Sequence, residues 1–386
     1  SSFIFRNDSK NGIAKFTDVT KQVAKDLLNV GMICDAVFSD YNNDGWPDLV
    51  LTGEYMPITF LKNVKGSFVN DTQTSGIAGM KGSWNSITVG DFDNDGDIDY
   101  VVGNMGTNSF YKASEQYPTG IMAADFDHNG SYDAFPFVYL KDQQGKMQKY
   151  PAQGRDDLVK QMISLRTIYQ NYKSFATATL DEMLSTYKPT SELTLTINYP
   201  YSAFLKNEGN GKFRLIPLPK EAQVSILNGF STGDWDGDGN LDLAINGNDY
   251  GGEVSGGRYD ALNGLILKGN GKGGFSPVSI LKSGFYIPGN GKSLVKLRQA
   301  DGKTLLAASE NRGPLRIFQS NYSTKNIAVN PDDASGIITF KNGKKRKIEF
   351  YYGNSFLSQS VRDIEVPKNA STIVLTNFKG VSRKVY

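Results

Sequence analysis

Short apolar runs alternate along the chain with polar, glycine-rich stretches, and most of the runs span only three or four residues. Ala36–Phe38 precedes an acidic stretch and Leu49–Leu51 follows it; Ile87–Val89 and Tyr100–Val102 flank a second, Ile121–Ala124 leads into a third and Leu243–Ile245 leaves a fourth. Runs of this length bounded by Gly, Asn and Asp predict strands joined by tight turns. A second pattern follows them. From Ile58 to Phe68, Ala203 to Phe213 and Leu265 to Phe275, an apolar strand ends in Lys with Asn or Gly, turns on Gly and resumes at Phe. Phe3 to Phe16 has the same form and reads as the outer half of a unit whose inner half is missing. An inner hairpin followed by an outer one is a four-stranded meander, the unit of a propeller blade. The expected fold class is therefore all-β: a β-propeller of four-stranded blades over residues 1–324, with about five blades plus an N-terminal half-blade.

Three segments depart from the repeat. Leu158, Met162, Leu165 and Tyr169 recur at helical spacing after Asp156 and Asp157, and Thr179-Leu-Asp-Glu182 has the form of a capping box. They predict a helical insertion over about 141–200, between the inner and outer hairpins of the third blade, serving as a rim cap or a partner-docking element. Residues 293–318 repeat the blade pattern with only Asp301 at the hairpin tip. From 325 to 386 the strands Gly336–Phe340, Arg346–Phe350, Ile364–Val366 and Thr372–Leu375 lack acidic tips and predict a small, separate, sandwich-like β domain.

The tips carry the chemistry. Asp91, Asp93, Asp95, Asp97 and Asp99 fall within nine residues, with Gly96 at the sixth place. The same spacing gives Asp40, Asn42, Asp44, Gly45, Trp46 and Asp48; Asp125, Asp127, Asn129, Gly130, Ser131 and Asp133; and Asp234, Asp236, Asp238, Gly239, Asn240 and Asp242. Side-chain oxygens at positions one, three, five and nine, a backbone carbonyl at seven and a glycine where the chain turns are what a hard cation needs. They predict Ca2+ at up to four sites. Position twelve is Leu51, Val102, Pro136 or Ile245, so the bidentate Glu of an EF-hand is missing and the loop is the tip of a β-hairpin. Four side chains, one carbonyl and one water complete six donors, which assigns the ion to the scaffold and not to catalysis. Loops 91–99 and 234–242 have Asp at all four side-chain positions and are expected to fill first.

Asp91 to Asp99 with its flanking strands resembles the FG-GAP or VCBS repeats of bacterial surface and secreted propellers, whose calcium loops are of the integrin type. Gly353 to Ser360 and its neighbours resemble the ASPIC/UnbV-like domain that often closes such proteins. The resemblance implies a β-propeller, calcium in the blade loops and an exported protein, at the cell surface, outer membrane or periplasm of a bacterium. It implies no particular ligand.

Composition narrows the function classes. A net charge of +2 in 386 residues gives no reason to expect nucleic acid, and the basic run Lys341, Lys344, Lys345, Arg346 and Lys347 reads as the solvated side of a strand. No stretch is long and apolar enough for a transmembrane segment, and the abrupt start, without a leader, fits a mature fragment. The one cysteine, Cys34, is expected as a small buried hydrophobe. The one histidine, His128, lies inside a loop at a position pointing away from the ion, so no histidine-based triad or zinc site is expected.

One strand length from the tips, a second set of residues is expected to converge around the propeller axis: Glu54, Tyr55, Trp84, Asn85, Asn104, Asn248, Asp249, Tyr250, Arg258, Tyr259, Asn311 and Arg312. Amides, carboxylates, Arg and aromatic planes suit a glycan or a peptide segment, or else bond blade to blade. The function expected is a non-catalytic, calcium-stabilised binding or assembly module with a protein or glycan partner at the cell surface. The rivals are a polysaccharide-active enzyme using carboxylates on that face and a structural subunit of a larger outer-membrane complex.

Overall fold

The computed structural model describes residues 2–252, 256–322, 325–353 and 356–386. Most of the chain is antiparallel sheet. The first sheet is a meander of Met32–Ser39, Asp48–Pro57, Thr59–Val64 and Ser67–Asn70. The second consists of Ser86–Gly90, Asp99–Gly103, Ala203–Asn207 and Phe213–Pro217, and the third of Leu227–Gly233, Asp242–Gly247, Leu265–Gly269 and Phe275–Val278. Gly291–Arg298, Thr304–Glu310 and Arg316–Gln319 form a three-stranded fourth sheet, with the Asp301 turn between its first two strands.

Neighbouring sheets meet through their first strands, in the propeller-like manner expected. Ile87 N–H donates to Asp35 Oδ2 at 3.1 Å, Ser86 Oγ to Leu227 O at 2.9 Å, and Asn228 Nδ2 to Gly291 O at 2.8 Å. Apolar clusters fill the spaces between. Phe60, Phe213, Tyr100, Trp84 and Val50 pack between the first and second sheets, and Phe92, Phe204, Phe230, Leu243 and Leu267 between the second and third. Burial of a side chain of this size contributes about 1.5–3 kcal/mol.

The second sheet corrects the expected domain plan. The hairpin beginning at Ala203 pairs with the strand that leaves loop 91–99: Ala203 faces Val102, Phe204 faces Val101 and Leu205 faces Tyr100, all buried. The inserted segment is therefore 104–202. It interrupts the second unit and carries loop 125–133 with it. Thr119–Ala124, Asp133–Lys141, Met147–Pro151 and Leu193–Ile197 make its own sheet. Leu158, Met162, Leu165, Leu180 and Leu184 cover that sheet. The helical spacing is real but broken: Arg155–Gln161 ends where Met162 turns extended, and a new short helix spans Leu165–Ile168. The capping box at Thr179 and Glu182 is formed.

At the N-terminus, Phe5–Asn7 pairs with Phe16–Asp18 and, among the described residues, with no other strand. The C-terminal segment forms a sheet of Lys345–Glu349, Asp333–Phe340, Ala370–Asn377 and Ser382–Lys384, with Lys325–Ala328 and Asp363–Val366 paired beside it. It has its own core around Ile338, Phe340, Ile373 and Leu375. It is not detached, because Lys345–Glu349 docks on the acidic loops. Of the stretch Gly353 to Ser360, Asn354 and Ser355 lie outside the described residues. Cys34 is exposed, contrary to expectation, in a strand whose first half alternates between exposed and half-buried positions.

Candidate metal centre

Each acidic loop is built by its own backbone. The position-six glycines Gly45, Gly96, Gly130 and Gly239 have φ between 85° and 97°, and the fourth residues Asn43, Asn94, His128 and Gly237 are also left-handed. The first aspartate accepts the sixth N–H: Gly45 to Asp40, Gly96 to Asp91, Gly130 to Asp125 and Gly239 to Asp234, all at 2.9–3.1 Å. The fifth side chain accepts the seventh N–H: Trp46 to Asp44, Asp97 to Asp95, Ser131 to Asn129 and Asn240 to Asp238. His128 is exposed.

The ninth aspartate joins the inner hairpin to the outer one. Asp99 accepts Asn207 N–H at 2.8 Å, Asp242 accepts Gly269 N–H at 2.8 Å and Asp48 accepts Asn63 N–H at 2.7 Å. The second oxygens of Asp99, Asp133 and Asp242 accept the N–H of position two, from Phe92, Phe126 and Trp235. In the first loop Tyr41 N–H goes to Ser39 O instead, leaving Asp48 Oδ2 buried without a partner.

The backbone thus brings three carboxylates together at each of three tips. One oxygen each from Asp91, Asp93 and Asp99 lies within 4.8 Å of the others, as for Asp125, Asp127 and Asp133 and for Asp234, Asp236 and Asp242. Loop 40–48 has Asn42 at the third position. Burial, added to the repulsion of Asp93, Asp95 and Asp91, pushes the Asp99 carboxyl up to about 9; burial and loop neighbours push Asp48 and Asp242 up to about 7. Asp93 Oδ1 is also buried without a hydrogen-bond partner. Clustered, desolvated oxygens with unused lone pairs fit a hard divalent cation, and an all-oxygen donor set favours an alkaline-earth ion over a transition metal.

Strand Lys345–Glu349 completes the surroundings of these loops and corrects the reading of the basic run at Arg346 and Lys347, while Lys341, Lys344 and Lys345 are exposed. Arg346 is 2% exposed and donates to Asn94 Oδ1 at 2.8 Å and Gly239 O at 2.6 Å. Lys347 N–H donates to Asp91 Oδ2 at 2.8 Å, its Nζ donates to Asn43 Oδ1 at 2.5 Å, and Glu349 accepts Ser39 Oγ at 2.6 Å. The two cations neighbour three loops.

At the opposite ends of the strands the expected set divides. Trp84, Asn104 and Asn248 are fully buried joints and not ligand groups. Trp84 Nε1 donates to Met56 O at 3.0 Å, Asn104 Nδ2 to Tyr199 O at 2.8 Å, and Asn248 Nδ2 to Leu262 O at 2.7 Å. Asn85 Nδ2 donates to Ser83 O at 2.8 Å. The others are more open. Glu54 is raised by burial and by Asp249, which itself lies 3.6 Å from Lys292. Arg258 stacks over Tyr250 at 4.8 Å, and the hydroxyls of Tyr259 and Ser109 lie 3.2 Å apart. Tyr55 is pushed up to about 12 by burial, Glu54 and Tyr111. Asn311 and Arg312 are exposed. Glu54, Tyr55, Asp249 and Tyr259 are thus joined by Ser109 and Tyr111 from the insertion, two residues not anticipated because the insertion's attachment point was misplaced.

Residues 40–102 match the model of the FG-GAP-like repeat family. The match spans the first two acidic loops and the strands between them, and repeats of this family suggest a binding or adhesion module. No curated protein matches the chain. Among the described residues no helix is long and apolar enough to cross a membrane.

Proposed function

We propose that the protein is a non-catalytic binding or assembly module whose propeller-like body is stiffened by calcium at the loop tips. It meets a glycan, peptide or protein partner through the opposite face, around Glu54, Tyr55, Asp249, Arg258 and Tyr259. One observation carries the metal half of this reading: three carboxylates converge within 4.8 Å at three hairpin tips, with Asp93 Oδ1 buried and unpaired. The FG-GAP-like match over 40–102 supports the module half. Within this reading the C-terminal sheet is the ASPIC/UnbV-like closing domain, and the protein works outside the cytoplasm of a bacterium, at the cell surface, where calcium is abundant. Asp40, Asn42, Asp44 and Asp48 form a fourth site with fewer carboxylates. When bound, the ion supplies charge neutralisation and a rigid turn, while the chain's own residues present the opposite face.

Two measurements test it. Titration calorimetry with Ca2+ should show saturable binding that is lost in part in Asp91→Ala and Asp234→Ala. Glycan and peptide arrays probed with and without calcium should show calcium-dependent capture that weakens in a Glu54→Ala, Tyr259→Ala double variant. No calcium uptake would remove the metal half, and capture unaffected by the double variant would move the partner elsewhere.

A further inference from the structure

In two of the loops a lysine of the loop's own sheet pairs closely with the carboxylates, while in loop 40–48 Lys347 of the C-terminal sheet stands 3.6 Å from Asp40. Lys206 Nζ pairs with Asp93 Oδ2 and stands 3.8 Å from Asp95 Oδ2. Lys268 Nζ pairs with Asp236 Oδ2 and stands 2.9 Å from Asp238 Oδ2. Both lysines come from the third strand of their sheet, immediately before the residue whose N–H donates to the ninth aspartate. In loop 40–48 the residue at the same place, Lys62, is 4.0 Å from Asp44. Loop 125–133 is different. The third strand of the inserted sheet stops at Pro151, opposite Phe137, and never reaches Asp133. Its lysine, Lys149, is turned to Asp181 at 2.6 Å. Among the described residues no Lys or Arg pairs with Asp125, Asp127 or Asp133.

We infer that Lys206 and Lys268 are built-in counter-cations of loops 91–99 and 234–242. Without an ion they offset the mutual repulsion of the carboxylates and hold the loops in shape. With an ion they oppose it. On Asp93 the lysine takes Oδ2, while Oδ1, buried and unpaired, is left for the metal. A divalent ion and an ammonium then share one carboxylate. Even at the dielectric constant of water, a unit charge about 5 Å from a divalent ion is enough for roughly a tenfold change in affinity. Position within the strand thus sets two classes of metal loop, lysine-damped and lysine-free. The inference rests on the calcium reading and adds the residues that tune its affinity.

The test uses the full chain and Ca2+ alone as the probe. Lys206→Met and Lys268→Met are titrated by calorimetry beside wild type, with Lys206→Arg as the charge-preserving variant and Lys149→Met as the control at the undamped loop. Thermal unfolding is followed for each in chelator and in saturating calcium. Each Met variant should tighten one class of site by roughly tenfold, lower the midpoint in chelator and widen the gain that calcium brings. Lys206→Arg and Lys149→Met should keep wild-type affinities. Affinities unchanged or weaker in both Met variants, with wild type binding normally, would overturn the counter-cation role alone. Wild type taking up no calcium would overturn the reading beneath it. A merely structural lysine would lower the midpoint in both conditions and tighten nothing.

Discussion

Arg346 offers a demanding check on how the C-terminal sheet is held. Its guanidinium is 2% exposed, hydrogen-bonds Asn94 Oδ1 and Gly239 O, and lies 5.0 Å from the centre of the Phe340 ring. Burial lowers its pKa to about 10 against the opposing pull of Asp91, Asp234, Asp238 and Asp242, so it remains charged at neutral pH. Arg346→Ala removes two charge-assisted bonds, each contributing about 1.5–3 kcal/mol, and strands one buried and one half-buried acceptor. It also takes a positive charge from a buried network, a change that typically costs about 3–5 kcal/mol. These overlapping contributions give an expected loss of about 3–5 kcal/mol. Arg346→Met loses the same bonds and charge but keeps the stem against Phe340, so it should be about 1 kcal/mol less destabilising than Arg346→Ala. Urea unfolding followed by tryptophan fluorescence, in chelator and in calcium, measures both. An Ala variant within about 1 kcal/mol of wild type would show that the C-terminal sheet is held elsewhere and would refute the reasoning.

Other perturbations follow from the same contacts. Burial raises the Asp35 carboxyl from its ordinary 3.8 to about 6, although it accepts the N–H of Ile87 and Ala36. A folded pKa above the unfolded one means that the native state holds the proton more tightly. Its contribution is therefore present below about pH 4 and lost as pH rises through 6, up to about 3 kcal/mol in all. In saturating calcium, Asp35→Asn should flatten the stability profile between pH 4 and 6; an unchanged slope would assign that titration to another group. Replacing 104–202 by a short turn from Gly103 to Ala203 should leave the second sheet intact, because Ala203 already pairs beside Val102. The shortened chain should unfold cooperatively at a lower midpoint, having lost the Asn104 and Ser202 joints, and bind one calcium fewer by calorimetry. An unfolded product would mean that the insertion is integral to the body.

What could be read from the residues was what nine or ten neighbours decide among themselves. The loops were legible because the acidic spacing and the left-handed glycine are local, and the four copies share backbone bonds that depend on nothing outside them. Strand partnership is not local. The Ala203 hairpin was assigned to the nearest preceding tip, 125–133, whereas the packing of Phe204 and Leu205 against Val101 and Tyr100 gives it to a strand on the far side of the insertion. Amides carry the same ambiguity: Asn104 and Asn248 look like ligand groups until the buried carbonyls they serve are known. The basic run was read from alternation, which supposes that one face of the strand is wet. Arg346 and Lys347 are adjacent yet both buried, so the strand is covered on both faces, and the cover is the acid of three loops. Opposite charge at the two places was a usable signal, as was the lysine repeated before Asn63, Asn207 and Gly269. The ninth aspartate draws these threads together. In loops 91–99 and 234–242 it belongs to the carboxylate cluster, and in these two and in loop 40–48 it is also the acceptor that ties outer hairpin to inner hairpin. Any ion bound there acts on the integrity of the whole sheet as well as on the turn that holds it, and the lysine next to the donor residue on the outer strand reaches the third and fifth carboxylates of the same loop.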